Sequence, residues 1–206
     1  MESQELAQLK SEVKKHLLTF MQSPKCSESL KIINDEIASF FDYGKDDIDI
    51  LLDVATDKTT NKRETITILI LIFLWTYESY YALCVNSFCH FLTVCGHDLF
   101  DSIKRKYAVS FEDIGNVDIY TKLKFLEEHN FRMFKRKQDR TLRNKIAHHD
   151  FSLDNSGIFK VEGVEINIFQ RQKALMKFTS QAMKALMECL MEIQIQNRPK
   201  TTPPRS

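Results

Sequence analysis

Residues 4–21 set Leu6, Leu9, Val13, Leu17 and Leu18 among charged positions at helical intervals, which predicts an amphipathic helix. Pro24 closes it, since proline cannot continue the hydrogen-bond ladder. A second helix is predicted over 29–41, with Leu30, Ile33, Ile37 and Phe40 on one face and Gly44 as its stop. The acidic run Asp46, Asp47 and Asp49, followed by Leu51 and Leu52, then predicts a short helix or turn. From Asn61 the pattern changes. Asn61 and Glu64 have the spacing of a capping box, and the chain from Ile66 to Val94 is almost free of charge up to the left-handed stop offered by Gly96. A helix apolar nearly all round must be buried on most sides, so this one is expected at the centre of the fold.

The same stretch raises the question of a membrane span. Its first apolar run meets Glu78 after about a dozen residues, short of the roughly 20 that a span requires. Asn86 and His90 follow, and ionisable groups are costly in hydrocarbon, so a core helix is the reading. Residues 97–107 are expected to continue as a helix and 108–117 to form a loop around Gly115. Asp118 can cap a further helix to His129. Farther on, Phe159, Val161, Val164, Ile166 and Ile168 bracket Glu162-Gly163 as a small β-hairpin. A last helix over 170–196 would turn Ala174, Leu175, Phe178, Ala182, Leu186, Leu190 and Ile193 inward, before a tail, 197–206, with the composition of disorder. The expected fold is therefore all-α, a single helical domain over 1–196 with a small β-hairpin insertion before the last helix.

Composition narrows the function. Five glycines and four prolines favour long helices over a turn-rich β architecture. A net charge of +1 gives no global field towards nucleic acid, so any such argument must come from local charge. Cys26, Cys84, Cys89, Cys95 and Cys189 form no CxxC pair and match no zinc spacing, which reads as buried reduced thiols. Glu2, Glu5, Lys10, Glu12, Lys14 and Lys15 leave no room for a secretory signal, and together these features point to the cytoplasm.

The chemistry concentrates in Asp139–Phe151. The string Arg143-Asn144-Lys145-Ile146-Ala147-His148, late in a helical chain, resembles the Arg-x4-6-His motif of the HEPN superfamily (higher eukaryotes and prokaryotes nucleotide-binding). A polar residue after the arginine and small or apolar residues before the histidine strengthen the likeness, which covers about 61–196 in outline and is less diagnostic over the first sixty residues. The resemblance implies a HEPN-like helical bundle. It also implies an endoribonuclease that needs no metal or other cofactor, dimerises to bring two motifs together, and serves toxin–antitoxin or phage-defence systems. An antitoxin or regulatory protein would then be encoded elsewhere. The resemblance equally allows a non-catalytic module that binds nucleotide, RNA or a protein partner. Asp150 stands where one branch of toxin members has tyrosine, so that branch's tyrosine role is not carried over.

The residues support the chemistry on their own terms. RNA supplies its own nucleophile, the 2′-hydroxyl, so cleavage needs proton transfer and stabilisation of a charged phosphorane. His148 can move protons near neutral pH, and Arg143 presents a fixed fork to phosphate oxygens. On an ideal helix residues five apart diverge by about 140°, so a helix end at His148 or a partner's copy is needed to complete the pair. Asn144 shares a face with His148. Arg132, Arg136, Arg140, Asn144 and His148 recur at four-residue steps, a basic row that with Lys145 is expected to meet RNA phosphates, or else to be a solvated face. Glu78, the one acid in the apolar helix, is expected to support the motif by accepting from Arg143, or else to pair with another cation or be partly exposed. His148, His149 and Asp150 are adjacent and diverge too far to share a metal. A plain helical scaffold, with Arg143 and His148 as surface residues, is the third reading.

Overall fold

The computed structural model describes residues 3–99 and 111–196, the side chains of 3, 40–47, 111–112 and 193–196 excepted. It is mostly helical. Helix α1 spans Ser3–Gln22 and α2 spans Cys26–Thr56. The apolar helix follows in three parts: α3 (Lys62–Trp75), a π-helical turn (Thr76–Tyr81) and α4 (Ala82–Val94). Then come α5 (Phe111–Asn116), α6 (Ile119–Glu128), α7 (Arg132–Lys137) and α8 (Arg140–Ala147). Strands β1 (Ser152–Leu153), β2 (Phe159–Val161) and β3 (Val164–Glu165) form an antiparallel sheet in that order before α9 (Ile168–Gln196).

The apolar helix is the core, as its pattern predicts. Asn61 Oδ1 accepts from Glu64 N at 3.0 Å and the Glu64 carboxylate accepts from Asn61 N at 3.2 Å, a reciprocal cap that stabilises the start by about 1 kcal/mol. Gly96, at φ +91, ends it. Over Lys62–Val94 the helix is long and apolar enough to cross a membrane, yet 56% of its most apolar window is buried against protein. Burial among helices accounts for the apolarity. It packs against α1, α2, α6 and α9. A cluster of Phe88, Phe131, Phe134 and Phe178, with ring centroids 4.7–5.5 Å apart, locks the entry to α7 between α4 and α9. Each such ring contributes roughly 1.5–3 kcal/mol by burial.

Several expectations need correction. Gly44 and the acidic run do not divide the second helix, because α2 continues through both. The predicted loop 108–117 holds α5, while the expected helix over 97–107 falls largely outside the described residues, as does the tail. Leu18 is 65% exposed and Ala174 also faces solvent, whereas Leu175, Phe178, Ala182, Leu186 and Leu190 are buried as expected. Phe40 and Ile193 lie among the side chains not described. The hairpin forms around Glu162 (φ 52) and Gly163 (φ 78) as predicted, but its second strand ends at Glu165, and Ile168 opens α9 instead of extending it. Two consecutive positive φ values make the two-residue turn whose twist suits a hairpin. The third strand, β1, was too short to show as a period.

Candidate functional site

The motif helix is short and deliberately ended. Leu142 and Ile146 bury its inner face, while the N–H groups of His148, His149 and Asp150 bond back to the carbonyls of Asn144, Ile146 and Lys145 at 3.0, 3.0 and 2.7 Å. With His149 at φ 56, the last two bonds make a Schellman stop with a histidine where glycine is usual. His148 is therefore the C-cap, and the chain turns away immediately beyond it. Its imidazole is exposed and makes no hydrogen bond among the described residues.

Arg143 is held from three sides. Its Nε donates to Glu78, its Nη2 lies against the same carboxylate oxygen, and its Nη1 donates to Asn144 Oδ1 at 3.0 Å. The guanidinium carbon sits 6.0 Å from the centre of the Tyr77 ring, at the outer limit of a cation–π contact. Three contacts leave two of the five guanidinium N–H groups for a ligand. Its side chain is 31% exposed, enough for one to reach it.

The π-helical turn explains how Glu78 gets there. Tyr77, Tyr80 and Tyr81 point inward and Glu78 outward toward α8. The Tyr81 hydroxyl donates to the Phe134 carbonyl at 2.7 Å and Tyr77 Oη to Gln138 Oε1 at 3.4 Å, so the turn also fixes α7 and the junction before α8. Burial pushes the Tyr77 phenol up to about 12, which keeps it a neutral donor. Such turns inside long helices often mark working sites. The pairing of Glu78 with Arg143 is as expected. Its setting is the partly exposed one: the carboxylate is 50% exposed, because the turn faces it out of the core.

The basic row is not one ridge. Gln138 and Asp139 adopt non-helical angles between α7 and α8, and Arg171 Nη1 reaches Asp139 at 3.4 Å, so the four-residue steps change helix midway. Arg132 and Arg136 share a small cavity with Glu5 and Glu12 of α1. Arg140 lies 4.9 Å over the Tyr120 ring. Lys145 pairs with Asp150 and with Glu162 at 2.9 Å, tying α8 to the hairpin turn, and these partners hold its ammonium well above the usual range. The sequence therefore brings together Arg143, Asn144 and Glu78, with His148 on the next turn. Arg132 and Arg136 stand apart on α7, whereas Arg140 and Lys145 share α8 with Arg143 but are engaged by Tyr120 and by Asp150 and Glu162. No hydrogen bond joins Arg143 to His148 within the described residues. Tyr77 and Tyr120 were missed, since a tyrosine in an apolar or amphipathic stretch reads as packing.

No known protein family, curated protein or solved structure matches the chain.

Proposed function

We propose that this chain is a HEPN-type, metal-independent endoribonuclease acting on single-stranded RNA in the cytoplasm, its site completed by a second copy. The observation that carries the reading is the Arg143 guanidinium, fixed by Glu78 and Asn144 with two N–H groups still open, one turn below an exposed histidine at a helix end. One His148 takes the proton of the 2′-hydroxyl as that oxygen attacks phosphorus. The partner's His148 gives a proton to the departing 5′-oxygen, and Arg143 neutralises the charge that builds on the phosphorane. The 2′-oxygen–phosphorus bond forms and the 5′-oxygen–phosphorus bond breaks, leaving a 2′,3′-cyclic phosphate and a 5′-hydroxyl. Toxin–antitoxin or phage defence, with a restraining partner protein, is the setting such an activity suits.

The occupied edge of Arg143 and the internal pairing of Lys145 favour a second reading, a module that binds RNA, nucleotide or a protein without cutting. Cleavage of end-labelled single-stranded RNA in EDTA, by the native chain and by Arg143→Ala and His148→Ala, separates the two. Cutting that both variants abolish supports the nuclease. Binding without cutting leaves the module.

A further inference from the structure

The π-helical turn has a second side. There α2, Tyr80 and the first half of α9 border a groove of about 580 Å3, within the size range of small-molecule sites and, like them, mostly apolar. Ile48, Leu52, Tyr80, Phe169 and Met176 provide its surface. Phe169 is 41% exposed there, a large ring left half in water.

Its polar groups are few and distinctive. Gln172 lines the groove and is only 5% exposed, yet its amide makes no hydrogen bond among the described residues. The amide is not sealed in the core, and it opens into the groove. Lys173 and Lys177 stand one turn apart at the rim, with no acidic partner among the described residues, while Lys184 farther along α9 approaches Glu188. Asp49 lines the groove from α2, so among the described side chains two cations meet one anion there. An apolar surface, an amide open to the groove and a pair of lysines at the rim describe a ligand with an apolar body and an anionic end.

We propose that this groove binds a small amphipathic organic anion, a medium-chain or aryl acid. Its body lies against Phe169, Met176 and Leu52, its charge meets Lys173 and Lys177, and Gln172 supplies a hydrogen bond from the groove wall. The site is independent of the RNA chemistry on the other side of the turn.

Calorimetric titration of the full chain with decanoate and with 8-anilinonaphthalene-1-sulfonate tests it, with decanol as the uncharged comparison. At least one anion is expected to bind the native chain, decanoate alone marking an aliphatic ligand and the sulfonate alone an aryl one. The exposed double variant K173E/K177E should weaken the anion by about tenfold and leave decanol within about twofold. Ser180→Phe, which fills the groove, should abolish both. If that variant fails to fold, the lysine pair decides. No binding to the native chain, or an anion affinity unchanged in K173E/K177E, overturns the proposal whatever the chain does to RNA.

Discussion

Glu78 and Arg143 form an ion pair whose acidic half is largely in water, and such pairs contribute at most about 1 kcal/mol to stability. The value of the contact is geometric: it fixes the plane of the guanidinium. Glu78→Gln is therefore expected to lower kcat for RNA cleavage about tenfold, with KM little changed, through loss of that orientation. Its melting temperature should stay within about 3 °C of native, as a loss below 1 kcal/mol allows. A lower melting temperature with unchanged kcat, measured side by side, would make Glu78 a structural residue only. At this scale much was legible. An acid alone in an apolar helix stands out, and Arg143 with His148 carries its own spacing. The ties of Lys145 to Glu162 and of Arg143 to Tyr77 were not legible, because each depends on elements brought together only by folding.

The helices show the same division. Capping and stopping are local chemistry, so the Asn61 cap, the Gly96 stop, the Asp118 cap and the Glu162-Gly163 turn could all be read from a few residues. The break between α7 and α8 could not. No glycine or proline marks it, and the bonds that support it come from Tyr77, Tyr81 and Arg171, far away in sequence. The π-helical turn is equally silent in an apolar run. The end of α8 allows a sharp prediction. His149 occupies a left-handed position that costs an L-residue roughly 1 kcal/mol or more, whereas glycine adopts it freely. His149→Gly is expected to raise unfolding free energy by about 1 kcal/mol in urea titration and to leave RNA cleavage unaltered. Loss of cleavage in that variant would shift the catalytic role from His148 to its neighbour.

At the scale of the molecule, the outer side of α3 bears Leu71, 57% exposed, and Trp75, 37% exposed, one turn apart and running into Glu78. On the proposed dimeric reading, this apolar stripe ending at the site is the face a second copy would cover. L71E/W75E is expected to sediment as a monomer and lose cleavage while keeping its helical circular dichroism; a monomeric variant that still cuts would remove the partner from the mechanism. A second property of the whole fold is its response to acid. His16 and His97 ring nitrogens lie 3.2 Å apart, and the His97 and His129 rings are centred 4.1 Å apart. Burial holds all three below the ordinary 6.5, and pushes His90 down to about 4. The unfolded chain thus takes up protons first. Stability is complete above about pH 6.5 and falls as pH drops from there towards 4, so the melting temperature should decline steadily below pH 6.5. A flat profile from 7.5 to 5 would contradict the buried neutral imidazoles. The central claim, RNA cleavage driven by Arg143 and His148 through the 2′-hydroxyl, is tested most directly by giving the native chain a labelled single-stranded RNA and its all-deoxy counterpart in EDTA. The account predicts that only the RNA is cut, with 2′,3′-cyclic phosphate ends. Intact RNA, or equal cutting of the deoxy strand, would contradict it.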